Sequence, residues 1–499
     1  MPGIVINTAT RSGPTATGEI LSAQSFMVGT TERGKASEPT LLRNLTEYTK
    51  YFGKYVSGNM HTSIQTYFEE GGARLYLQRV VADDAVAGSR AFVNSAGSTV
   101  ATFSAADVGA WSANLDVQIV AGDVSGVRVK VFLDDVLVLH TNDLTTLDAL
   151  ITAVNAEEPT RHLVTATKEA GATTMPVATS ALAMSAGADG TLVTDASATD
   201  NYVEGLALLG KDLGPGSVSI PGIATSNSYW HALIDHAKTN DRIAICSFTE
   251  ASSHTTVKST LSGASPTIYA DDDAQYAAFY YPWVKIPDPA NAGLTVTLSP
   301  EAYVQAKRSK AANAAGGPWR VGAGAISEAR HVTGLSMPSG TFMDKATGDE
   351  LDNSRINALR IINGKVRVYG ARSASAAEAD WRFITSRDTI NHIVYLAEIA
   401  LERHTFSTID SRGGLFSAIR GSLVSILEPI KKSGGLYPAH DSSGAMIDNG
   451  YKVTVGNINN PTVSLATGQV TADVAVRVSA VGDKITVNIT KSNLTAGVL

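Results

Sequence analysis

The sequence predicts a multidomain α+β protein: an α/β middle domain interrupted by a mostly-β insertion, then a C-terminal α+β core domain, with strand-forming arms at both ends. Three observations carry this reading. Short apolar runs alternate with helical periodicity over residues 19–82 and again over 200–345, the pattern of strands laid against helices. Between them, residues 83–199 turn to Ala, Gly, Ser, Thr and Val with apolar residues at alternate positions. After residue 346 come a hairpin signal and two long stripes of apolar residues at helical spacing.

In the first α/β stretch, Ser25-Phe26-Met27-Val28-Gly29-Thr30 reads as a buried strand. Leu41 to Phe52 and Thr62 to Glu70 read as helices, the second stopped by Gly71-Gly72, and Arg74 to Val81 returns as a strand. In the insertion, Gln118 to Val120, Val127 to Phe132 and Val136 to Leu139 read as strands and Leu144 to Ala156 as a helix; Gly171 to Asp200 is expected as an exposed rim. The second α/β stretch carries helices at Asn201 to Leu209 and Ser228 to Lys238 and a strand at Ile243 to Phe248. Ala278 to Ile286 reads as one strand that Pro282 confines to an edge or bulge. Ser299 is expected to cap a helix with Pro300 at its first position, running through Lys310.

The core domain, 346–465, opens on Leu359 to Tyr369, where Asn363-Gly364 supplies the positive φ angles of a type I′ hairpin turn. Helices follow over Ser386 to His404 and from Phe416 to Ile430, the latter ended by Gly434-Gly435; both apolar stripes need cover. The arms are residues 1–18 and 466–499. Val474, Val476 and Val478 alternate with polar positions, as do Ile485, Val487 and Ile489, with Gly482-Asp483 between the runs; Ile4, Val5 and Ile6 form a short apolar run at the other end. Two arrangements satisfy these runs. Either the C-terminal strands pair within one chain, or the termini cross to neighbouring copies, whose strand edges accept them. Head-to-tail exchange of the second kind does not close and generates a helical filament.

A chain of 499 residues exceeds what one hydrophobic core supports. Hydrophobic residues at 44% and charged residues at 17% fit a folded protein with several cores. Lys and Arg total 40 against 47 Asp and Glu, a net charge of -7, so no basic field draws the chain to nucleic acid or anionic membranes. The N-terminal residues lack the basic start and long apolar run of a secretory signal, and no stretch of about 18 apolar residues offers a membrane span, so synthesis in a cytoplasm without membrane insertion is expected.

Chemistry-bearing motifs are sparse, and no cofactor or metal is expected. Cys246, the single cysteine, sits in a strand and reads as a small buried hydrophobe. Gly322-Ala323-Gly324-Ala325-Ile326-Ser327 starts like a dinucleotide-binding loop but lacks the third glycine, and reads instead as a flexible connector. His231 and His236 are spaced poorly for joint ligation on a helix. Asp271-Asp272-Asp273 reads as a solvated loop with helix-capping character.

Several segments in order resemble the sheath proteins of contractile bacteriophage tails. They are Pro2-Gly3-Ile4, Phe26 to Gly34, and Tyr67-Phe68-Glu69-Glu70-Gly71-Gly72-Ala73-Arg74-Leu75-Tyr76. Gly109-Ala110-Trp111-Ser112-Ala113-Asn114-Leu115 and Tyr280-Tyr281-Pro282-Trp283-Val284 follow. The strongest is the series Leu351 to Asn357, Val368-Tyr369-Gly370-Ala371-Arg372-Ser373 and Trp381 to Asp388. This chain departs from the family pattern in having Ser112 and Ala113, Tyr369 for Trp, Ser373 for Thr and Asp388 for Arg.

The resemblance implies a structural subunit, not an enzyme, that polymerises helically as stacked hexameric rings around a tail tube and contracts to drive the tube through a host envelope. Its implied partners are further copies of itself, the tube protein, and baseplate and tail terminator proteins; its implied place is the virion tail, after assembly in the host cytoplasm. It also implies a subtilisin-like fold for the middle domain, and inter-subunit strand exchange through Ile4, Val5, Ile6, Val474, Val476, Val478, Ile485, Val487 and Ile489. Basic residues gathered around the last two helices, Arg403, Arg412, Arg420, Lys431 and Lys432, are the tube-facing candidates, with a solvated helix face as the alternative. Two other function classes compete. A serine hydrolase on the subtilisin-like domain would draw on residues such as Asp195, His231 and Ser336, but no strained nucleophile turn surrounds any serine. A secreted β-rich adhesin is suggested by the insertion alone, and the missing secretion signal argues against it.

Overall fold

The computed structural model describes residues 21–487, apart from 57, 59, 157–162, 264–266, 269–271 and 411. Its centre is an eight-stranded sheet in the order Lys365–Tyr369, Ile356–Ile362, Ala277–Tyr281, Arg242–Cys246, Gly216–Ser219, Ser25–Gly29, Leu75–Arg79 and Thr40–Leu42. The six inner strands are parallel and each edge strand is antiparallel to its neighbour. Side chains alternate across this sheet as the pleat requires. Phe26 and Val28 join the core under the Asn201–Ala207 and Asn227–Thr239 helices, while Met27 joins the core under the Leu45–Phe52, His61–Glu69 and Glu301–Ala315 helices. Cys246 is fully buried in the first of these cores, as a small hydrophobe.

The inserted domain has its own core. A four-stranded sheet (Leu182–Ala183, Leu115–Ala121, Val127–Leu133, Val136–His140) and a three-stranded one (Ser89–Val93, Thr99–Ala105, Val164–Lys168) enclose Phe92, Phe103, Trp111, Val117, Val131 and Leu150. The segment 171–200 is mostly exposed, yet Leu182 and Ala183 pair with Val117 and Asp116.

Four expectations need correction. The run from Leu41 is not helical from its start: Thr40–Leu42 is the sheet's edge strand, and Asn44 caps the helix two residues later by accepting from the Glu47 N–H at 2.8 Å. Ala278 to Ile286 is two strands in two sheets. Ala277–Tyr281 lies in the interior of the central sheet, Trp283–Pro287 in a separate three-stranded sheet, and Pro282, in a cis peptide, stands at the break where its missing N–H costs no ladder bond. Ser299 does not cap the Glu301–Ala315 helix; its hydroxyl turns instead to the buried Glu301 carboxyl, which also accepts from Ser247. The glycine-rich run at 322–327 is not a loose connector. A Cβ on Gly322 would stand 2.7 Å from the Lys307 and Arg308 backbone, so glycine lets this segment lie directly on the helix.

The hairpin at the start of the expected core domain forms with Asn363 and Gly364 at φ 52° and 74°, and it extends the central sheet through parallel pairing of Phe279 with Ile356. What remains beyond it is a C-terminal layer: the Ile384–Glu402 and Gly414–Lys432 helices and a two-stranded sheet of Tyr451–Thr454 with Asp473–Val476. No helix of the described residues is long and apolar enough to cross a membrane.

Candidate assembly interface

The C-terminal layer is built by covering the two predicted apolar stripes. Ile393, Leu427, Ile430 and Leu436 form one small core and Ile419, Leu423 and Val455 another, and Tyr451, Val453, Val474 and Val476 of the two-stranded sheet lie on both helices. Val478 bridges to Leu436. Thus Val474 and Val476 spend their side chains on this chain's own apolar cores.

Long-range polar clamps fix the sheet in place. Arg420 Nη2 donates to the Val455 carbonyl at 2.9 Å; Lys431 Nζ meets Glu428 at 2.7 Å and Asn449 at 3.1 Å; Tyr451 Oη donates to Glu428 at 2.5 Å. The bonds from Lys431 and Tyr451 hold the Glu428 carboxyl below its usual range. At the far end of the hairpin, Asn459 Nδ2 donates to the Thr454 and Thr471 carbonyls and Asn460 Nδ2 to those of Gly456 and Thr471, closing the long connection between the strands. Within the basic cluster Arg420 and Lys431 make these bonds, yet Arg420 is exposed, as are Arg403, Arg412 and Lys432, and Lys431 alone is half-buried.

Of the two arrangements open to the C-terminal runs, pairing of 474–478 with 485–489 within one chain is not seen among the described residues. After Val478 the chain leaves the sheet, Asp483 is held by Arg382 Nη2 at 2.8 Å, and Ile485 and Val487 follow in no strand, 86% and 72% exposed. Among the described residues, no strand pairs with either outer edge of the two-stranded sheet. Ile4, Val5, Ile6 and Ile489 lie outside the described residues. Further apolar side chains stand in solvent across this layer: Ile399, Phe406, Tyr437, Met446, Ile447, Ile458 and Val463, with Phe406 fully exposed. Open strand edges beside exposed apolar residues are the physical signature of a surface that other chains complete.

The residues a hydrolase would draw on stand in separate elements. Asp195 accepts from the Ser197 N–H of its own turn, His231 lies on the Asn227–Thr239 helix, and Ser336 pairs with Trp283 in the three-stranded sheet. His236 is used internally, its ring bonded to Arg242 and Asn240. Asp273 pairs with Lys238, and no cluster of metal-ligating side chains occurs among the described residues.

Fold and surface together define a class: an α/β body with its own cores and a terminal layer whose outer strand edges no described strand covers. The solved structures similar to it are sheath proteins of contractile machines. A sheath tail protein from Listeria innocua is 12% identical over 89% of this chain and 90% of that one, with a TM-score of 0.59. The helical sheath of the anti-feeding prophage in its contracted state is 13% identical over 98% and 99%, TM-score 0.54. The contracted PVC sheath of an extracellular contractile injection system is 15% identical over 99% and 98%, TM-score 0.51. No family model matches the sequence, and no curated protein matches it. At these identities the likeness is one of fold: the chain has the contractile-sheath fold over nearly its whole length.

Proposed function

We propose that this chain is the structural, non-enzymatic subunit of a contractile sheath, polymerising helically around an inner tube and contracting to drive that tube through a cell envelope. The observation that carries the reading is the open two-stranded sheet, with Ile485 and Val487 leaving it unpaired in strand and exposed. The backbone groups of such edges are satisfied by whichever chain supplies a strand, and head-to-tail donation propagates into a filament. In this reading the edges at Tyr451–Thr454 and Asp473–Val476 are acceptors. The donors are the C-terminal run through Ile485, Val487 and Ile489 and the N-terminal run Ile4, Val5 and Ile6. Val474 and Val476 hold the acceptor sheet on its helices, and Val478 bridges to Leu436.

The other partners follow from the same reading: stacked rings of six copies, a tube protein, and baseplate and terminator proteins at the two ends of a particle's tail. Arg403, Arg412, Arg420 and Lys432 are the exposed basic residues that would face the tube, with Lys431 half-buried beside them. Contraction would rotate closed bodies between two lattices while donated strands keep them tethered. Electron microscopy of the purified protein tests this. Striated hollow cylinders are expected; a preparation that stays monodisperse at every concentration and in the presence of its tube protein contradicts the proposal.

A further inference from the structure

Two chain crossings, at residues 80–88 and 184–200, form the neck between the central sheet and the inserted domain. They are tied to one another: Val86 bridges Ala188, Asp84 Oδ1 accepts from the Thr191 N–H at 2.8 Å, and Asn201 Nδ2 donates to Asp83 Oδ1 at 3.1 Å. These bonds hold the neck together but do not fix the angle between the two bodies. Beside the neck lies a cleft of about 460 Å³, with Thr30, Glu32 and Val56 on the sheet side and Trp111, Asn114 and Asp189 on the inserted side. That cleft gives the inserted domain room to tilt.

Arg79, the last residue of its central strand and only 3% exposed, reaches across this junction. Its Nη1 donates to the Gly34 carbonyl of the sheet body at 2.7 Å, and its Nη2 to the Val108 carbonyl of the inserted domain at 2.8 Å. Nε finds no acceptor among the described residues, so these two carbonyls hold the guanidinium. Asp107 and Asp189 place negative charge on the inserted side of it. The approach depends on Gly109, at φ 130°, where a Cβ would stand 3.2 Å from Nη2. An ion pair also spans the two bodies, Lys54 with Asp134 at 2.9 Å, but it joins side chains that are 59% and 44% exposed and compete with water.

We propose that Arg79 is the pin that fixes the orientation of the inserted domain on the sheet body, so that the subunit moves as one unit. A planar guanidinium fork holds two acceptors in set directions at once, which an ammonium on a flexible stem does not. The inference stands whether or not the chain polymerises.

The test is a distance distribution by pulsed electron resonance in the unassembled full-length chain. Spin labels are placed at Val124→Cys, 92% exposed in the inserted domain, and at Ser259→Cys, on the exposed side of the His254–Gly263 helix. Cys246 is buried and burial pushes its thiol pKa up, so it does not compete for label. One narrow distance is expected in the parent and in Lys54→Ala, a distribution at least twice as broad in Arg79→Met, and an intermediate one in Arg79→Lys. If Arg79→Met does not fold, Arg79→Lys decides alone. Parent-like widths in the folded Arg79 variants, or broadening by Lys54→Ala as large as by Arg79→Lys, overturn the proposal.

Discussion

Around the Glu301–Ala315 helix, buried charge is answered inside the chain; around the Tyr451–Thr454 and Asp473–Val476 strands, backbone edges and apolar side chains are left to solvent. Lys307 is buried with Glu70, whose carboxylate also accepts from the N–H groups of Arg330, His331 and Val332 at 2.7 to 3.0 Å. Arg308 donates twice to Asp388, at 2.6 and 2.7 Å, joining this helix to the Ile384–Glu402 helix. The terminal layer has clamps as well, but they fix its own two strands and leave the outer edges open. The difference separates a body whose buried charges are met within one copy from a layer whose outer strand edges no described strand covers; in the proposed polymer the second is where copies would join.

The largest effect expected inside the body is at Glu70. Its removal in Glu70→Ala strands a buried ammonium and three backbone donors, and should cost about 3–5 kcal/mol by chemical denaturation. A loss no larger than that of a surface substitution would erase the contrast between the two regions.

Next in size is a pH effect. Burial first, and Arg242 second, hold His236 down to about 3, and burial with Arg308 holds His392 down to about 4. Both rings stay neutral in the folded chain while the unfolded chain binds protons near pH 6.5, so the unfolded state gains as pH falls and stability is lost between about 6.5 and 4. Lowering the pH from 7 to 5 should cost on the order of 2 kcal/mol per ring at most, and His236→Asn should flatten the slope. An unchanged slope in that variant would place the titration elsewhere.

Smallest is Arg420→Ala, which removes one hydrogen bond to the Val455 carbonyl at the layer's own sheet. It should lower stability by about 1 kcal/mol without abolishing assembly. Loss of assembly with full stability would make Arg420 a contact to another chain instead of a clamp on its own sheet.

Much of this division was legible in the sequence. Residues whose structure is set locally announced themselves: Asn363-Gly364 made its hairpin, the apolar spacings at 390–401 and 416–430 made their helices, and the composition change after residue 82 marked the insertion. The alternating C-terminal runs were legible as strand material but not as to partner, because alternation specifies a face and says nothing of which chain covers it. What escaped was set by long-range contacts. Glu70 meets Lys307 across 237 positions and Arg79 meets Val108 through a backbone carbonyl that carries no residue signature. Pro282 reads in sequence as an edge or a bulge within one apolar run; only the tertiary fold shows that it divides two sheets. Among the basic residues, clustering in sequence did not show that Arg420 and Lys431 reach Val455 and Asn449, since that depends on where the chain beyond the helix returns.

The central claim is that adjacent copies complete the terminal layer's strand edges, and the paired substitution Ile485→Asp with Val487→Asp addresses it most directly. Both side chains are exposed, so the monomer should melt as the parent does. Sedimentation and electron microscopy should find subunits that no longer form long cylinders. Cylinders of parental length and order built from the doubly substituted chain would contradict the account.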